Sequence, residues 1–75
     1  MINKQKGGAV LNNKQFDDTM NIIINALKEK GYDPVNQING YLIFRDLSYI
    51  TRHNNARKLI ETLDVERTRQ YMIRL

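Results

Sequence analysis

Seventy-five residues with a net charge of +4 make one domain at most, and a chain this short buries only about 60% of the surface it exposes when unfolded. Cysteine is absent, which excludes disulfides, thiolate metal sites and thiol nucleophiles together. The single histidine, His53, cannot build a metal site alone, so no metal and no cofactor is expected. Self-association is the remaining route to more buried area.

Residues 1–12 read as a flexible N-terminal arm, with Gly7-Gly8, paired asparagines and scattered lysines in no sustained period. The lysines of 1–6 have the charge of an export signal, but no apolar run follows them. No stretch approaches the roughly 20 apolar residues of a membrane span. The expected compartment is the cytoplasm, with no membrane insertion. Ala9-Val10-Leu11 is a short apolar patch that can dock or stay loose.

A single helical domain is expected over 13–75. The first helix, 13–30, places Phe16, Met20, Ile23, Ile24 and Leu27 at three- and four-residue spacing. Asn12 or Asn13 can cap its start, and Asp17 and Asp18 favour the positive end of the helix dipole. Gly31 fits a left-handed stop. The triple Ile22-Ile23-Ile24 is wider than one narrow stripe, which points to more than one buried side and to a subunit contact.

Asp33-Pro34 is a strong helix start, because aspartate caps and proline at the first position loses no needed hydrogen bond. Val35, Ile38 and Leu42 then follow at helical spacing, giving a second helix over 34–44. Gly40 in its interior costs about 1 kcal/mol against alanine, a cost that close approach of another backbone would explain. Asp46 opens a turn or a single helical turn through Ile50. A third helix is expected from Thr51, its cap, turning Ala56, Leu59, Ile60 and Leu63 inward. Asp64 can cap a fourth, from Val65 to the C-terminus, with Val65, Met72 and Leu75 on one side. The fold class is therefore all-α, a bundle of about four short helices, expected to form an intertwined homodimer.

No convergent set of reacting groups is signalled. His53 lies beside asparagines with no acid at short spacing, and adjacent Asp17 and Asp18 point apart on a helix. Gly7-Gly8 lacks the lysine and hydroxyl of a phosphate-cradling loop. The chain does not read as an enzyme, and its catalytic residues are none. All six arginines lie beyond residue 44, where the balance is +3. They suit either a solvated face or a basic recognition surface. A small basic helical nucleic-acid-binding protein is the alternative reading. Against nucleic acid, the helix 34–44 carries no Lys or Arg, although phosphate neutralisation supplies most such affinity. Tyr32, Tyr41, Tyr49 and Tyr71 fit core edges with a wet hydroxyl better than stacking platforms.

Two runs carry a resemblance: Leu27-Lys28-Glu29-Lys30-Gly31-Tyr32-Asp33-Pro34-Val35-Asn36-Gln37-Ile38-Asn39-Gly40-Tyr41-Leu42, and Arg52-His53-Asn54-Asn55-Ala56-Arg57. Together, with Asp46 and Tyr49 of the intervening turn, they resemble the core signature of the IreB family, also called ReoM. The resemblance implies a helical, non-enzymatic homodimer. It implies a regulatory phosphoprotein, a substrate of a membrane Ser/Thr kinase, that tunes peptidoglycan synthesis through regulated proteolysis. Partners implied are that kinase and the proteolysis machinery.

Two departures stand out. Family members carry a threonine in the arm as kinase target, whereas residues 1–18 here contain no Ser or Thr and the first hydroxyl is Thr19, so the phosphorylation site is unknown. Phe44-Arg45-Asp46-Leu47 stands where the family has Ser-Gly-Asp-Pro, and Thr51 replaces a second proline. Helix formation alone does not demand Asn36, Gln37, Arg52, His53, Asn54, Asn55 and Arg57. These are the candidate partner-binding residues. The 52–57 segment has two readings, a structural cap and a docking surface for an acidic or phosphorylated segment.

Overall fold

The structure, a computed structural model, describes residues 11–75. The reading of 1–12 as an arm lies outside the described residues as far as residue 10. Four α-helices follow in order: α1 Asn13–Glu29, α2 Pro34–Phe44, α3 Ala56–Glu61 and α4 Val65–Ile73. Two single 3₁₀ turns, Leu47–Tyr49 and His53–Asn55, lie between α2 and α3. No strand occurs among the described residues, so the fold is all-α.

α1 is closed at both ends by its own sequence. Asn12 accepts from the Gln15 N–H at 2.8 Å while the Gln15 side chain accepts from the Asn12 N–H at 3.0 Å, a reciprocal capping box. Its first turn holds no acid. Asp18 pairs instead with Lys14, one turn earlier, at 3.0 Å, which corrects the expectation that Asp17 and Asp18 serve the dipole. At the far end the Tyr32 N–H reaches Leu27 O and the Gly31 N–H reaches Lys28 O, both at 2.9 Å. Gly31 sits at φ 83°, so the stop is a Schellman motif that only a residue at ease in the left-handed region closes without strain.

The core forms where the apolar face of α1 meets the other helices. Phe16, Met20, Ile23, Ile24, Ala26 and Leu27 are buried. They join Ile38, Tyr41, Leu42, Ile50, Ala56, Ile60, Leu63 and Met72 in one cluster. α1 packs on α3 and α2, and α2 packs on α4. Thr68, which the pattern did not mark, is the buried polar residue among the described ones. Its hydroxyl donates to Asp64 O at 2.8 Å and so stays satisfied in the core. Arg67 fastens the start of the described chain to α4. Its Nη1 donates to Leu11 O at 2.8 Å, and its guanidinium lies 4.4 Å from the centre of the Phe16 ring.

Four inward assignments change. Ile22 is 46% exposed, so the isoleucine triple buries two of its members. Val35 and Leu75 are exposed, and Leu59 is half-buried at the core edge. The third helix starts five residues later than expected. Asn54 (φ 53°) and Asn55 (φ 61°) both adopt left-handed backbone, which no α-helix from Thr51 can contain. Thr51 is therefore not the cap of α3, whose N-cap position is Asn55; its hydroxyl accepts from the His53 N–H at 3.2 Å just ahead of the 3₁₀ turn. Gly40 does face a close neighbour. A Cβ there would lie 2.6 Å from the Tyr49 ring, so the approaching group is an aromatic side chain rather than a backbone.

Candidate docking site on the connector between α2 and α3

The connector between α2 and α3 contains little regular hydrogen bonding of its own, and side chains supply what is missing. It leaves α2 through Arg45, left-handed at φ 53°, at the position where the family pattern described above has glycine. Asp46 then caps the first 3₁₀ turn by accepting from the Ser48 N–H at 2.9 Å. The Ser48 N–H first, then the Ser48 hydroxyl, hold the Asp46 carboxyl below the usual carboxylate range, against a smaller opposing desolvation. The Arg57 charge adds a little to the lowering.

Two consecutive carbonyls are braced from opposite sides. Gln37 Nε2, from the first turns of α2, donates to Tyr49 O at 2.8 Å. Arg57 Nε, from α3, donates to Ile50 O at 2.6 Å. Both bonds are partly buried, and the Ile50 side chain between them is fully buried. Removing either donor strands a carbonyl with limited access to water, at about 1–3 kcal/mol. His53 Nε2 lies 2.6 Å from Glu29 Oε1, which ties the second 3₁₀ turn to the end of α1.

The seven candidate residues therefore divide. Gln37 and Arg57 hold the connector, and His53 anchors it to α1. Arg52, Asn54 and Asn55 are exposed along its outer edge. Asn36 is exposed on the first turn of α2, and no hydrogen bond among the described residues joins it to 52–57. A cavity of about 260 Å³ opens beside the edge, lined by Arg52, Asn55, Arg57 and Lys58. Lys58 was not singled out from the sequence. Its adjacency to Arg57 was the available signal, but a continuous helix would have turned it away from Arg52.

Other chemistry is sparse. Among the described residues no group of three His, Asp or Glu side chains comes together to hold a metal ion. No described helix is long and apolar enough to cross a membrane. The Thr19 hydroxyl, the first in the chain, donates to Gln15 O at 2.9 Å within α1. Thr62 donates likewise to Leu59 O, at 2.6 Å.

These features define a small all-α module built around a braced connector with a cation-rich outer edge. Residues 6–74 match the model of the IreB regulatory phosphoprotein family, and the chain belongs to that family. Over 47 residues it is 53% identical to a UPF0297 protein of Clostridioides difficile (strain 630). That stretch covers 63% of this chain and 55% of the relative, so the match spans little more than half of the relative's length. The family places this chain among regulatory proteins and does not favour the nucleic-acid reading.

Proposed function

We propose that this chain is a non-enzymatic cytoplasmic regulator that acts as a homodimer through contacts with other proteins. The process it serves is Ser/Thr-kinase-linked control of peptidoglycan synthesis, exerted through regulated proteolysis. The observation that carries the reading is the division of labour on the connector. Gln37 and Arg57 fix its shape from inside, and this leaves Arg52, Asn54 and Asn55 on a preformed edge. A loop held rigid before its partner arrives loses less entropy on binding. Membership of a family of regulatory phosphoproteins supports the same conclusion.

The test is capture of partners from the native cell by the full chain and by its Arg52→Ala variant. Arg52 is exposed and makes no brace, so the variant is expected to keep the wild-type circular dichroism, melting temperature and dimer mass. Components of the kinase and proteolysis machinery should be retained by the wild type and lost by Arg52→Ala. Equal recovery by both proteins would remove the docking assignment.

A further inference from the structure

The cavity lined by Arg52, Asn55, Arg57 and Lys58 is unusual on this surface. Its lining contributes three cations, one amide and no carboxylate. Of the other second-half cations, Arg67 is taken up by Leu11 O and the Phe16 ring, Arg69 pairs with Glu66, and Arg45 lies over the Tyr41 ring. Arg52, Arg57 and Lys58 share one cavity rather than a stripe along a helix.

The backbone explains how the cations come to share one cavity. On a continuous helix, Arg52 and Lys58 would point about 120° apart, at roughly 100° per residue. The two left-handed asparagines, Asn54 and Asn55, break that geometry. They fold Arg52 back toward the α3 residues Arg57 and Lys58. Arg57 is also oriented in advance, since its Nε is committed to Ile50 O at 2.6 Å in a partly buried setting. The rest of its guanidinium fork remains available for an oxygen-rich anion.

We propose that this cavity binds the phosphate of a phosphorylated serine or threonine on a protein partner. The proposal rests on the docking reading above and names the chemistry that the site accepts. A phosphate monoester brings nearly two negative charges and three acceptor oxygens at neutral pH. That number suits three cations and an amide around one cavity better than the single charge and two oxygens of a carboxylate. The cavity volume, about 260 Å³, equals that of on the order of eight water molecules at about 30 Å³ each. A tetrahedral group and its linking carbons fit such a space. A nucleic-acid backbone would need cations along an extended track, which the pairing of Arg67 and Arg69 denies.

The experiment is a titration of the ¹⁵N-labelled full chain, followed by NMR. The ligand is a short peptide with one phosphothreonine between neutral residues. Its comparators are the unphosphorylated and glutamate peptides, inorganic phosphate, and a DNA duplex. Expected are saturable shifts centred on the amides of 52–58 and on the Arg57 Nε–H. The phosphopeptide should bind at least about tenfold more tightly than the glutamate peptide, a gap of about 1.4 kcal/mol. It should also bind more tightly than inorganic phosphate or the duplex. The double variant Arg52→Gln, Lys58→Gln, checked for an intact spectrum, should lose at least about tenfold in affinity. Equal binding of the glutamate peptide, preference for free phosphate or duplex, shifts centred elsewhere, or full affinity in the double variant would each overturn the proposal. If Arg52→Ala loses its protein partners while the phosphopeptide fails to bind, the phosphate assignment falls and the docking reading stands.

Discussion

Helix α1 and the connector between α2 and α3 solve the same problem by opposite means. Both must bury apolar side chains without stranding backbone polar groups. In α1 the backbone satisfies itself along 17 residues, and the ends are closed by Asn12 with Gln15 and by the Gly31 stop. Its side chains are then free to do one thing, which is to fill the core. In the connector, Ile50 is as fully buried as Leu27, yet the backbone around it runs through two isolated turns and three left-handed residues that are not glycine. Here Gln37 and Arg57 must reach in from neighbouring helices to cover the Tyr49 and Ile50 carbonyls. Burial in α1 therefore sets global stability, and polar bracing in the connector sets the shape of the exposed edge.

The sharpest separation comes from truncating the α1 stripe. Leu27→Ala removes a fully buried side chain at the centre of the core, which costs about 2–5 kcal/mol. Domains in general hold only about 5–15 kcal/mol, and one of this size sits toward the lower end. Urea unfolding followed by circular dichroism should show the midpoint falling steeply, with all helices lost together. A loss below about 1 kcal/mol would mean that α1 is not the organiser of the core.

Gly40 tests where the two regions meet, because α2 belongs to the regular part and Tyr49 to the connector. Gly40→Ala should gain about 1 kcal/mol in helix propensity. The new Cβ, however, would sit 2.6 Å from the Tyr49 ring, which is itself stacked on Phe44. Displacing that ring costs about 1–3 kcal/mol, so the net effect is a loss of about 1 kcal/mol. In a Tyr49→Ala background the sign should reverse, and Gly40→Ala should stabilise. A thermal-denaturation cycle over the four proteins measures the reversal. The same sign in both backgrounds would show that the ring is not what excludes a side chain at 40.

Gln37→Ala should cost about 1 kcal/mol, since it strands the partly buried Tyr49 carbonyl. What distinguishes it from Leu27→Ala is location. Amide hydrogen exchange should speed up over residues 47–55 and leave the centre of α1 unchanged, as expected for a local rather than a global opening. Uniform acceleration through α1 would erase the distinction between bracing and burial.

How legible each region was follows from the same contrast. The span of α2, the start of α1 and the Asp33 and Asp64 caps are local matters, written in spacing and in residues next to the helix ends. They were readable at those positions. The third helix was misplaced because Asn54 and Asn55 are acceptable helix residues by propensity. Their left-handed state is imposed by what Ile50, Arg57 and His53 must reach, and those contacts join residues 7 apart for Arg57 and 24 apart for His53 and Glu29. The close neighbour of Gly40 was anticipated, but its identity depended on how the chain turns after Arg45. The polar cluster was marked as exceeding what packing requires. Its division into braces and exposed edge, and the entry of Lys58, needed three dimensions.

Asp46 offers the smallest and most selective test of the connector. Its carboxylate is held below the ordinary range chiefly by the Ser48 N–H and then by the Ser48 hydroxyl, with Arg57 contributing less. A carboxylate whose folded pKa lies below its unfolded value, about 3.9, stabilises the fold at every pH above that value. The contribution drains away as pH falls through the folded pKa. Asp46→Ala should therefore melt slightly below the wild type at pH 7, and the gap should narrow as the pH is lowered past 4 toward 2.5. The side chain is fully exposed, so the difference is small. A ¹³C titration of the Asp46 carboxyl carbon, with a midpoint below that of a free aspartate, reads the same effect directly. The unequal strength of its causes can be separated as well. Arg57→Gln removes the charge, whereas Ser48→Pro removes both the N–H that caps the turn and the hydroxyl beside it. The midpoint should return toward ordinary values in Ser48→Pro and hardly move in Arg57→Gln. The reverse order would mean that the Asp46 carboxylate is held by charge pairing with α3 rather than by local capping of the first turn.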